Sequence, residues 1–92
     1  MYSYEIIPTL RNILNKLSIK NKSLYEQVLK KIEEIINSSD VEHYKNLRHD
    51  LKDYKRVQVG HFVLVFKFDK TNNIIFFVDF DHHDKIYKWG RL

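Results

Sequence analysis

Apolar residues recur at helical spacing in the first part of the chain and at every second position in the last part, so two kinds of element are expected in succession. "YSYEII" at the start has strand composition and is closed by Pro8, which cannot donate to a sheet ladder but suits the first turn of a helix. Leu10, Ile13, Leu14 and Leu17 then follow at i, i+3, i+4 and i+7, the stripe of a short amphipathic helix. "SIKNK" is read as polar linker, and Ser23 with Glu26 as an S-x-x-E capping box. The longer helix that follows carries Leu24, Val28, Leu29, Ile32, Ile35 and Ile36, and ends at "NSSD".

Residues 41–53 are polar with isolated apolar points, which suits a helical turn or a loop. From Tyr54 the period becomes 2: "YKRVQV", then Gly60 and His61, then "FVLVFKF". Glycine at the first central position of a two-residue connection fits a type II′ hairpin turn. That turn opposes Val59 to Phe62, Gln58 to Val63, Val57 to Leu64 and Arg56 to Val65. "DKTNN" makes a longer turn before the last strand, "IIFFVDF". The expected fold class is α+β: an N-terminal strand and two helices packed on one face of a small, mainly antiparallel sheet, in a single domain over residues 1–92.

Strict alternation puts Val57, Val59, Phe62, Leu64 and Phe66 under the helices, and Tyr54, Arg56, Gln58, Val63 and Val65 on an open face. In the last strand it groups Ile74, Phe76, Val78 and Phe80 against Ile75, Phe77, Asp79, Asp81 and His83. The second group begins apolar and turns polar, so Asp79, Asp81 and His83 are expected beside Arg56 on the open face.

Composition narrows the possibilities. Hydrophobic residues make up 43% and charged residues 30% of 92 positions, which is globular rather than disordered. Without cysteine there are no disulfides or thiolate metal sites, and a cytoplasmic setting is the expectation. No apolar run approaches a membrane span and the N-terminus lacks a signal-peptide pattern, so no membrane association is expected. Sixteen Lys and Arg against twelve Asp and Glu give +4, compatible with a polyanionic partner. The basic residues cluster locally: "HYKNLRHDLKDYKR" contains Lys45, Arg48, Lys52, Lys55 and Arg56.

The chemistry-bearing stretch is "DFDHHDKIYKWG". Asp79, Asp81 and His83 on one strand face resemble a carboxylate and imidazole metal site. Adjacent His82 and His83, however, point to opposite sides of an extended chain, so no metal is expected. Proton transfer is the alternative, since imidazole titrates near neutrality. RNA transesterification needs a base for the 2′-OH, cations for the phosphate and an acid for the leaving 5′ oxygen, and Arg56, Lys85, Lys88, His83 and Tyr87 offer such groups. A polar strand end with Tyr87 and Trp89 as packing residues accounts for the composition equally well.

The order of elements, "YKNLRHDLKDYKRVQVGHFVLVFKFD" and "VDFDHHDKIYK" together resemble the RelE/ParE toxin superfamily of type II toxin and antitoxin systems. The resemblance runs from Tyr4 to Lys88. Family members carry a pattern like Y-R-I-R-V-G-D-Y-R-I-I-Y, seen here as "KRVQVGHFVLVF", and an ending like G-H-R-x-x-V-Y, seen here as "DHHDKIY". RelE-type members are endoribonucleases that cut mRNA in the ribosomal A site without a metal or other cofactor, and are silenced by a RelB-like antitoxin in a hetero-oligomer. By position the resemblance implies Arg56 as a phosphate-contacting residue, Tyr87 as a base-stacking or proton-transfer residue, and His83 as an acid or phosphate ligand. Lys45, Arg48, Lys52, Lys55, Gln58, Lys85 and Lys88 are the expected RNA-binding residues around them. Gln58 and Val63 depart from the pattern, where basic residues are usual. Two further expectations therefore accompany the first: a ParE-like action on DNA gyrase, and a catalytically weak module that only binds its antitoxin.

Overall fold

The computed structural model describes residues 1–47 and 53–87. Strand β1 (Ser3–Ile6) leads into helix α1 (Pro8–Lys20), helix α2 (Lys22–Ile36) and a 3-10 turn at Val41–His43. Strands β2 (Tyr54–Val59), β3 (Phe62–Asp69) and β4 (Ile74–His82) follow, and a short helix, α3 (His83–Tyr87), comes last. The sheet order is β1-β4-β3-β2. β2, β3 and β4 form the expected antiparallel meander, while β1 joins β4 in parallel, pairing Ser3 with Ile74 and Ile6 with Phe77.

Pro8 occupies the first turn of α1, where its missing N–H costs nothing. The expected polar linker shrinks to one residue, because α1 continues through Ser18, Ile19 and Lys20. Asn21 then serves both helices. Its N–H closes α1 on the Leu17 carbonyl at 2.9 Å, and its side-chain oxygen accepts from the Leu24 N–H at 3.2 Å. Ser23 is thus already inside the first turn of α2, and the capping box expected with Glu26 is replaced by an asparagine cap.

Both helices lay their stripes on one face of the sheet. Leu10 and Leu14 of α1 and Leu24, Val28, Ile32, Ile35 and Ile36 of α2 are buried with Val59, Leu64, Phe66, Ile75, Phe77 and Phe80. Fully burying one such side chain is worth roughly 1.5–3 kcal/mol, set against the entropy of ordering it. Leu29, expected in the stripe, is instead 39% exposed, on the flank of α2.

The hairpin register matches the expectation pair for pair, from Val59 opposite Phe62 to Arg56 opposite Val65. Gly60 has φ +62°, a conformation other residues adopt only at a cost. In β4 the alternation breaks. Val65 pairs with Asp79 but Phe66 pairs with Phe77, so Val78 is an extra residue in a β-bulge. Ile75 and Phe77 consequently lie under the helices, whereas Asp79 and Asp81 pair with Val65 and Val63 of the other face. The single group of Ile75, Phe77, Asp79 and Asp81 is thereby divided, because one inserted residue reverses the side-chain parity.

That other face is not open along its length. Leu47, Val63, Val65 and Ile86 form a second buried cluster, flanked by Tyr54 and Val78. Ile86 belongs to α3, so the chain turns back after His82 and covers the middle of the sheet. On the far side, Leu47 N–H donates to the Tyr54 carbonyl at 2.8 Å and Arg56 N–H to the Lys45 carbonyl at 3.0 Å. The segment 45–47 thus shields the outer edge of β2.

Candidate functional site

Arg56 stands in the middle of β2, partly exposed, on the sheet face that α3 covers. Its cross-strand row continues through Val65 to Asp79, a residue 5% exposed whose carboxylate accepts from the Phe80 N–H at 2.9 Å. Two rows nearer the β2 start, Lys67 lies with its ammonium 5.6 Å from the Tyr54 ring centre. Lys45, antiparallel to Arg56 at the sheet edge, is exposed. These residues make a cationic margin beside the second cluster.

His83 is the first residue of α3, not a continuation of β4. Its N–H donates to the His61 carbonyl at 3.0 Å, which ties the start of α3 to the hairpin turn. Its side chain is 40% exposed, and its Nδ1 lies 3.0 Å from Asp84 Oδ1. Such a contact orients the ring and leaves the opposite nitrogen to face other groups. α3 packs through Ile86 on the Val63 and Val65 side of the sheet, the side that bears Arg56, while the His83 ring lies at the sheet end against His82, whose own ring meets Phe62. His83 and Arg56 are not neighbours. Four residue steps of about 3.3 Å and two strand spacings of about 4.8 Å separate their backbones by about 16 Å.

The expectation for His82 and His83 is corrected. Opposite orientations hold only for an extended chain, and here the strand ends between the two residues. Their rings meet edge to face at 4.7 Å between centroids, and Asp84 Oδ2 is 3.7 Å from His82 Nδ1. The sequence offered no periodic signal for this turn, since "HDKIY" is too short to show one. Asp84 and Ile86, both missed as site-shaping residues, carry the arrangement: one orients His83 and the other holds α3 down.

The remaining expected residues divide. Lys85 is exposed on α3. Lys55 is turned away from Arg56 to the chain edge, donating to the Glu42 and Tyr44 carbonyls and to Asn46 Oδ1 at 3.1–3.3 Å, so it fixes the segment before β2. Gln58 is exposed and its amide donates to the Gly60 carbonyl at 2.9 Å, bracing the hairpin. Val63 is 1% exposed beneath α3 and cannot touch a ligand. Arg48, Lys52 and Lys88 lie outside the described residues, as does the Tyr87 side chain.

Comparison with known proteins places this geometry in a family. Residues 7–87 match the model of the "ParE toxin of type II toxin-antitoxin system, parDE". A Methanocaldococcus jannaschii protein, "Putative toxin RelE4", is 53% identical over 93 residues, covering 100% of this chain and 97% of that one. Among solved structures, the isolated Escherichia coli RelE toxin superposes with a TM-score of 0.72 at 18% identity, covering 89% of this chain and 84% of that one. A chain of the RelBE2 toxin-antitoxin complex of Mycobacterium tuberculosis gives 0.71 at 19% identity, covering 89% and 91%. At such identities the two structures speak for the shared fold.

Proposed function

Because the chain belongs to the RelE/ParE superfamily of type II toxin-antitoxin toxins, we propose that it is a ribosome-dependent mRNA endoribonuclease that halts translation and is held inactive by a RelB-like antitoxin. The observation that carries this reading is the placement of α3. It sets a half-exposed imidazole, His83, at the end of the sheet whose α3-covered side bears Arg56, with Lys85 and Lys67 also exposed.

The chemistry follows from those groups. The 2′ oxygen of a ribose attacks the adjacent phosphorus as the bond to the 5′ oxygen breaks, giving a 2′,3′-cyclic phosphate and a free 5′-OH. Charge builds on the phosphoryl oxygens, where Arg56 offers a fixed guanidinium. The departing 5′ oxygen takes a proton from His83, with Asp84 orienting the ring. Tyr87 and the neighbouring lysines supply base stacking and the group that receives the 2′-OH proton. Arg56 and His83 stand far enough apart that the mRNA must lie across the sheet, between the β2 margin and the start of α3. Holding it there is the work of the ribosome and of the lysines along that path.

A second reading is favoured by Gln58 and Val63. One has its amide turned to Gly60 and the other is sealed under Ile86, so neither helps to hold a phosphate. A ParE-like action on DNA gyrase needs no scissile phosphate at this face. The two readings separate in a paired assay. Purified protein added to a translating extract should stop synthesis and leave cut message, with gyrase supercoiling unchanged; intact message together with lost supercoiling would give the site to gyrase instead.

A further inference from the structure

At the junction of β4 and α3, one nitrogen from each of His82 and His83 and one oxygen of Asp84 lie within 4.8 Å of one another. We propose that these three side chains form a binding site for a divalent transition-metal ion of the zinc class.

The donor set decides the class of ion. Two imidazoles and one carboxylate suit zinc, nickel or copper, whereas magnesium and calcium require mostly oxygen ligands. Around a tetrahedral zinc, with bonds of about 2.0–2.2 Å, neighbouring ligand atoms stand about 3.3 Å apart. The present spread therefore needs a closure of about 1.5 Å at most, within reach of side-chain rotation. His83 Nδ1 and Asp84 Oδ1 are already at 3.0 Å. Three protein ligands would leave the fourth position to water.

The surroundings hold the cluster in place. His83 N–H is bonded to the His61 carbonyl, Phe62 packs edge-on to the His82 ring at 5.7 Å, and Asp84 N–H donates to His82 Nδ1 at 3.3 Å. The last contact is long, so an ion displaces little by taking that nitrogen. The His61 ring stacks on His82 at 6.5 Å and is a further imidazole beside the cluster. The side chains of His82 and Asp84 are 41% and 70% exposed, whereas His83 Nδ1 is itself buried, so an ion reaches it only as the ring turns. Occupancy would engage His83. On the reading of His83 as a proton donor, the ion would act as an inhibitor rather than a cofactor, but binding itself does not depend on that reading.

The test is calorimetric titration of the whole chain with zinc chloride, beside magnesium chloride. One equivalent of zinc should bind while magnesium gives no signal. His82→Ala and Asp84→Asn should each weaken zinc at least tenfold, with circular dichroism and melting temperature confirming that both variants fold. To locate the ion, nickel should broaden the imidazole resonances of His82 and His83 before that of His43. Absence of stoichiometric zinc binding, equal affinity in the folded Asp84→Asn variant, or first broadening at His43 would each overturn the proposal. Message cleavage is read separately, so its absence alongside intact zinc binding would count against the proposed reaction only.

Discussion

Arg56 carries the phosphate stabilisation, since among the described residues it alone offers a guanidinium in the middle of this sheet face. Arg56→Ala should lower message cleavage by about 10²–10³-fold, the range for removing one transition-state donor, while Arg56→Lys restores only part of it. Single-turnover cleavage on programmed ribosomes checks this, and an unchanged rate would remove Arg56 from the site. A different residue tests the local electrostatics. The Asn72 side-chain amide, at 2.8 Å, and the Asn72 backbone N–H, at 3.2 Å, hold the Asp69 carboxyl below its ordinary range. A depressed carboxyl stabilises the fold above its unfolded value, and that contribution is lost as pH falls through the folded value. Carbon NMR titration should therefore find Asp69 titrating low, and Asn72→Ala should move it upward.

Among the elements, α3 has the largest consequence for its size. Five residues close the second cluster through Ile86, which is fully buried against Leu47, Val63 and Val65. Ile86→Ala should cost about 2–5 kcal/mol by denaturant unfolding if the cavity cannot collapse. It should also loosen His83, so that cleavage falls more than the unfolded fraction explains. Loss of stability with unchanged activity of the folded protein would separate α3 from the site. The same element marks where sequence reading stops. Gly60 fixed the hairpin register because a two-residue turn dictates its neighbours, and the helix stripes were legible because many residues repeat one period. The bulge at Val78 has no such signature. A single extra residue reassigned Ile75 and Phe77, and the strand end between His82 and His83 brought together two rings that alternation would have parted. Leu47 and Ile86 gave no warning either, since each is one apolar residue in a polar stretch, paired only by tertiary packing.

At the scale of the whole molecule, the fold is an antiparallel meander with a parallel edge strand, α1 and α2 on one face and α3 covering part of the other. No described helix is long and apolar enough to cross a membrane. The net charge of +4 and the accessible cations Lys45, Arg56, Lys67 and Lys85 predict salt-sensitive association with RNA. Removing one contacting cation, as in Lys85→Ala, should reduce the slope of log affinity against log salt by about 0.7 for a single strand. An unaltered slope would place the RNA path elsewhere. The antitoxin belongs to this scale as well: co-expression of the RelB-like partner should restore translation without changing the toxin's fold.

The central claim is that His83, held at the start of α3, takes part in cutting message. Primer extension on mRNA from cells induced for the natural chain or for His83→Ala measures it most directly. New 5′ ends within codons, abundant with the natural chain and reduced by about 10²-fold or more in the variant at equal protein level, are the predicted result. Identical ends from both chains, or growth arrest without any new ends, would contradict it.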